Sequence, residues 1–210
     1  MDDQTAERLT NILENFHKLI VIEIKKQRNR APTEYKRYER YKISRFFLGY
    51  DPSSRTLVDI AADMLSTLLR AHPFPNANHR TMLYVTKAFF ESNGFKFPSY
   101  EKRRQKWERH FVHDCNRFFH RSKYWLRIRF ERKAWKTKLK AGKKFMYFQS
   151  GGKLVVREPD LELSNAEIAK RHRDETQRWL KEMLGDQSER SRKTVPDALT
   201  RFIAQAERVT

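Results

Sequence analysis

The chain has 210 residues and a mass of 25.4 kDa, which suits one domain or one domain with an appendage. Lys and Arg number 45 against 26 Asp and Glu, a formal charge of +19, so anionic partners are expected: a nucleotide, nucleic acid, an acidic protein or an acidic membrane surface. A hydrophobic content of 39% with 13% aromatics excludes disorder throughout, and the single cysteine, Cys115, excludes an internal disulfide framework and fits a reducing compartment.

No apolar run approaches the roughly 20 residues of a membrane span, so no membrane association through a span is expected. The start, Met1-Asp2-Asp3, lacks the basic stretch and apolar run of a secretory signal, which predicts a cytoplasmic protein. The glycines form neither a P-loop nor a dinucleotide fingerprint.

In chain order, Leu9, Ile12, Leu13, Phe16, Leu19 and Ile20 recur at helical spacing and predict a helix over about 5–27, with Lys25, Lys26, Arg28 and Arg30 at its end and Pro32 as its stop. Residues 31–54 read as a partly extended connection in which Tyr35, Tyr38, Tyr41, Phe46, Phe47 and Tyr50 alternate with cations. Leu57, Ile60, Ala61, Met64, Leu65 and Leu68 predict a helix over 55–71, broken by Pro73 and Pro75. The next helix runs from Asn78 to Asn93, where Asn93-Gly94 stops it.

Residues 99–120 read as helix. The stretch 123–140 alternates at Leu126, Ile128 and Phe130, then allows a helix. Residues 145–157 predict a hairpin turning at Gln149-Ser150-Gly151-Gly152. Ser164 with Glu167 forms a capping box for a helix that Gly185 ends. Asp186 to Lys193 reads as a linker. The last helix has Thr194 near its cap, Pro196 in its first turn and Leu199, Phe202 and Ile203 on its face.

One segment carries chemistry: His72-Pro73-Phe74-Pro75-Asn76-Ala77-Asn78-His79-Arg80-Thr81, a loop from the end of one helix into the start of the next. A helix N-terminus offers unpaired N–H groups to phosphate, and Arg80 in the first turn adds a fork of donors. His72 titrates near neutrality and is suited to take a proton from a hydroxyl.

This stretch resembles the signature of the Fic/Doc (Fido) family, and most closely its death-on-curing branch, H-x-F-x-D-A-N-K-R-T. His72, Phe74, Ala77, Asn78, Arg80 and Thr81 match that pattern. The resemblance covers about residues 55–98. It implies a mainly α fold, with a Fido-type helical core and a small β flap over the active site. The core is placed at 1–98, with the motif loop at 72–81, and a basic helical and hairpin extension at 99–210. It also implies transfer of a phosphoryl or AMP group from ATP or another nucleotide to a hydroxyl of a target protein. His72 would be the base, Asn78 with the helix start the anion hole, Arg80 the phosphate clamp, His79 and Thr81 further nucleotide neighbours, and Phe74 structural. A toxin of this kind would have an acidic antitoxin or regulator as partner.

Three positions depart from the family. Asn76 stands where a metal-binding carboxylate is expected, and a neutral amide is a poor Mg²⁺ ligand beside a carboxylate. Leu83 replaces a second Arg, as in the death-on-curing branch. His79 replaces Gly or Lys. Asn76 therefore also admits a catalytically silent Fido fold that acts as a nucleic-acid or protein-binding module. A second family pattern, an inhibitory [S/T]-x-x-x-E-[G/N], is met by Thr10, Glu14 and Asn15, for which an ordinary solvated Glu14 is the competing reading.

From Glu101 to Lys144 there are 17 Lys and Arg against 4 Asp and Glu, interleaved with Trp107, Tyr124, Trp125, Phe130 and Trp135. This composition fits a nucleic-acid surface, and equally a solvated face whose aromatics form the core. His110, His113 and His120, near Asp114 and Cys115, lack the paired spacing of a structural zinc site and read as surface histidines.

Overall fold

The structure, a computed structural model, describes residues 1–98, 106–148, 151–191, 194–195 and 197–208, without the side chains of 106–114. The protein is mainly α-helical, with one two-stranded antiparallel sheet among the described residues. Two compact units are formed, residues 1–99 with 180–210, and residues 100–179.

The first unit begins with α1 (Asp3–Arg28), where Asp2 accepts from Thr5 N at 2.8 Å, and ends at Asn29 in the left-handed conformation. Leu9, Ile12, Leu13, Phe16 and Ile20 are buried, as the periodicity predicts, while Leu19 is left 43% exposed. The expected connection 31–54 contains a helix, α2 (Tyr41–Leu48), whose two buried residues, Ile43 and Phe47, lie one turn apart. Its start has no capping side chain, so nothing local in the sequence announces it. Helix α3 (Leu57–Ala71) opens on a capping box between Thr56 and Asp59 and stops at His72. Helix α4 (Asn78–Ser92) packs against α1 and α3.

Residues from Leu180 onward belong with this unit rather than with the 99–210 extension expected from sequence. The reason is apolar. Helix α10 (Ala198–Ala206) lays Phe202 against Phe89 at 5.8 Å and Phe16 at 6.5 Å between ring centres, and burying one such ring is worth roughly 1.5–3 kcal/mol. Thr194 is not at the cap of α10. It forms an antiparallel bridge with Thr56, and Asp197 occupies the N-cap; Pro196 lies outside the described residues.

In the second unit the alternation at 126–130 belongs to helix. Helix α5 (Lys106–Phe130) continues through it, and α6 (Arg132–Lys140) follows after Glu131. The hairpin forms as β1 (Phe145–Tyr147) and β2 (Lys153–Val155), in register Phe145 with Val155 and Tyr147 with Lys153. Gln149 and Ser150 of the expected turn lie outside the described residues; Gly151 and Gly152 take positive φ. A short α7 (Glu158–Glu162) leads into α8 (Asn165–Leu184), whose start carries the expected reciprocal bonds between Ser164 and Glu167. After α8 the expected linker is a 3-10 turn (Gly185–Gln187) and α9 (Ser188–Ser191).

Tyr124, Trp125 and Trp135 of the basic region are buried with Ile128, Met146, Phe148 and Val156, so they build the core of this unit and do not face solvent. Phe130 is 70% exposed, and the Trp107 side chain is outside the description. The small sheet belongs to the second unit, and the mainly α composition with a small β element is as expected.

Candidate active site

The motif loop is bracketed by two left-handed residues that are not glycine, His72 (φ 47°) and Ala77 (φ 51°). Such conformations cost on the order of 1–3 kcal/mol each and persist where surrounding contacts over-determine them. Asn78 supplies those contacts. Its Oδ1 accepts from Phe74 N at 2.9 Å, and its Nδ2 donates to Phe74 O at 2.9 Å and to the Tyr35 hydroxyl at 2.6 Å. Asn78 is 2% exposed, so its amide staples the loop and is not open to an anion. Phe74 is buried as expected, with its ring stacked on His17 at 4.4 Å and Tyr38 at 5.7 Å between centres.

The segment before α2 lies along the loop as a strap. Tyr35 N donates to Pro75 O at 3.2 Å and Glu39 N to Pro73 O at 2.8 Å. Through this strap Tyr35 brings its hydroxyl 3.2 Å from His72 Nδ1. Burial pushes the Tyr35 phenol above its ordinary pKa, against the opposing hydrogen bond from Asn78. Sequence reasoning missed Tyr35 as a site residue, because nothing within its own segment points 37 residues ahead to His72.

At the mouth of α4 the first intrahelical bond is Thr81 N to Ala77 O, and no side chain caps the helix. Among the described residues the backbone N–H groups of Asn78 and Arg80 in this first turn make no hydrogen bond. Arg80 is half-buried in this first turn and makes no hydrogen bond or ion pair among the described residues. His79 meets His72 edge-on, 5.2 Å between ring centres. Thr81 and Leu83 turn into the core, at 0% and 3% exposure, which removes Thr81 from a nucleotide's reach.

Asn76 is 4% exposed. Its Oδ1 lies 3.1 Å from His17 Nε2, which as N–H donates to it, and its Nδ2 donates to Pro32 O at 3.3 Å. Burial holds His17 below its ordinary pKa, with the Asn76 hydrogen bond opposing. The Asn76 amide is thus committed to the fold, and no three His, Cys, Asp or Glu side chains stand together to hold a cation among the described residues. These residues do not fit the Mg²⁺ that the family resemblance implies.

Glu14 is not an isolated solvated residue. It accepts from the Tyr38 hydroxyl and pairs with Arg40, which also engages Glu7 and Asn11. Thr10 is buried with its hydroxyl donating to Ala6 O at 2.8 Å, and Asn15 is half-buried on the same helix. Of the three, Glu14 anchors the strap: Tyr38 joins Glu14 to Phe74, and Glu14 makes no described contact with Arg80.

Residues 1–200 match a family of unknown function, DUF8172, and the chain belongs to that family. Comparison with curated proteins and with solved structures finds no match.

Proposed function

We propose that this protein is a Fido-type transferase that moves the terminal phosphoryl group of ATP, or of another nucleotide, to a hydroxyl side chain of a target protein. One arrangement carries the reading: His72, held at Nδ1 by Tyr35, stands in the loop that leads into a helix start whose N-cap, Ala77, makes no side-chain cap and whose first turn holds Arg80, without an ion pair among the described residues. The tautomer that serves a base donates Nδ1–H to the Tyr35 oxygen and carries its lone pair at Nε2, an atom that is buried in this structure, so a target hydroxyl would reach it only once that atom is uncovered. That oxygen bonds to the γ-phosphorus, the bond to the β-phosphate oxygen breaks, and the nucleoside diphosphate leaves. Arg80 and the first-turn N–H groups of Asn78 and Arg80 stabilise the phosphate charge. No step passes through a metal.

Leu83 and His79 favour phosphoryl over AMP transfer, since a second phosphate clamp and a bare backbone are both missing. A charge of +19 calls for an acidic regulator, which suits a cytoplasmic toxin or switch. The second reading, a Fido fold that binds nucleotide without transfer, is favoured by the commitment of Asn76 to His17 and Pro32.

The test is incubation of the protein and a cell lysate with γ-labelled or α-labelled ATP. Phosphoryl transfer labels a target from the γ position only, and His72→Ala lowers the rate by roughly 10²–10⁴. Label from the α position would assign AMP transfer instead. Nucleotide binding by calorimetry with no label transferred would establish the second reading.

A further inference from the structure

The exposed face of the β1–β2 hairpin carries Phe145, Tyr147 and Val155, at 41%, 65% and 50% exposure, together with Lys153. Strand register sets these four side chains as two cross-strand pairs on one face, while Met146 on the other face is buried. The two rings lie 6.4 Å apart between centres. Lys153 Nζ sits 4.5 Å from the centre of the Phe145 ring, and Arg127 on α5 donates to Tyr147 O at 3.3 Å, placing a guanidinium at the strand's end.

Charge around this face is one-sided. From Arg121 to Arg157 there are thirteen Lys and Arg and a single carboxylate, Glu131. Lys140, Lys143, Lys144, Lys153 and Arg157 are exposed and have no ion-pair partner among the described residues. A fold gains nothing by leaving like charges together around bare rings, so both features point outward.

We infer that this hairpin face is a binding platform for single-stranded nucleic acid, on which bases stack against Phe145 and Tyr147 while the surrounding lysines take the phosphates. Paired rings need unpaired bases, which a duplex keeps stacked inside. An anionic membrane fits less well, because inserting Phe145 would carry Lys153 on its face toward the acyl chains. This places the binding surface at the hairpin rather than on the tryptophans of α5 and α6, which are core.

The full chain is titrated into fluorescently labelled oligo-dT and oligo-U of about 20 nucleotides, near 50 mM salt and upward, with polarisation as readout. Binding is expected, with affinity falling linearly in log salt. Phe145→Ala and Tyr147→Ala each weaken it about tenfold and leave the salt slope unchanged. Lys143→Glu with Lys144→Glu and Lys153→Glu weakens it and flattens the slope by roughly 0.7 per lost phosphate contact. All five side chains are exposed, and an unchanged melting temperature verifies that each variant is folded. His72→Ala binds like the parent, which separates this surface from the transferase reading. Absent binding at low salt, indifference to loss of both rings, equal affinity for duplex, or phosphatidylserine vesicles captured with the same dependence on the rings would each overturn the proposal.

Discussion

Asn78 donates to the hydroxyl of Tyr35 at 2.6 Å, across 43 residues of sequence, and that hydroxyl lies 3.2 Å from His72 Nδ1. A single phenol therefore joins the residue that staples the motif loop to the residue proposed as base. Tyr35→Phe keeps the ring and removes the junction. Stability should fall by about 1 kcal/mol, the net worth of one such bond. Transfer should fall on the order of tenfold, less than the loss of the base itself, with an altered pH–rate profile and an unchanged KM for the nucleotide. A purely structural role would lower the melting temperature and leave the pH profile in place.

Asn78→Ala should damage the fold more than the chemistry of any one group explains. It leaves both the N–H and the carbonyl of buried Phe74 without their partner, at roughly 1–3 kcal/mol for each unsatisfied group. Urea denaturation should show a loss of about 2–6 kcal/mol. A loss below about 0.5 kcal/mol, the scale of a neutral surface change, would show that the loop holds without its staple.

His17 sets a pH dependence. Its folded pKa is depressed by burial against Phe74, so the neutral ring is the native form. As pH falls below the ordinary value of 6.5, the unfolded chain takes up the proton first, and stability is lost from there down through the lowered folded value. His120, also depressed by burial and by Lys123, adds a loss of the same sign in the second unit. NMR titration should place the His17 ring below the range of an exposed histidine, and His17→Gln should flatten part of the stability profile in that window.

Asn76→Asp provides a carboxylate where the family resemblance expects one. In this fold the new charge faces His17 and loses the donor to Pro32 O. The expected outcome is a rise in the His17 pKa above its present value, because an adjacent anion favours the imidazolium. Calorimetry should detect no gain in Mg²⁺ affinity. Mg²⁺ binding that appears with the substitution would show that residue 76 can turn outward.

Gly152 tests the packing of the hairpin. At φ +86° an added Cβ would lie 3.0 Å from His120 Cε1, whose ring stacks on Phe148 at 4.8 Å. Gly152→Ala combines this collision with a conformational cost of roughly 1–3 kcal/mol. Adding His120→Ala should relieve the collision alone, so the double variant should be more stable than the sum of the single losses predicts. Strict additivity would mean that only the backbone conformation matters.

Local signals made much of the fold legible from the sequence. The stripe from Leu9 to Ile20, the stop at Asn93-Gly94, the Ser164–Glu167 box and the glycines at 151 and 152 each depend on residues within a turn or two of one another. Helix α2 escaped because only Ile43 and Phe47 are buried in its eight residues, too few to set a period among so many aromatics. The motif was equally legible as a loop entering a helix, with His72 and Arg80 at its two ends. Its internal wiring was not. Asn78 and Asn76 carry amides that suit a ligand or the backbone equally, and only their burial beside Phe74, Pro32 and His17 commits them to the backbone and a neighbouring ring. Composition counted the aromatics of the basic region but could not sort them. Trp125 and Trp135 became core because a hairpin supplies Met146, Phe148 and Val156, 11 to 31 residues later, to cover them, and the same pairing turned Phe145 and Tyr147 outward. Long-range contacts of this kind depend on which surfaces the folded chain brings together, and that is settled by packing rather than by any local pattern.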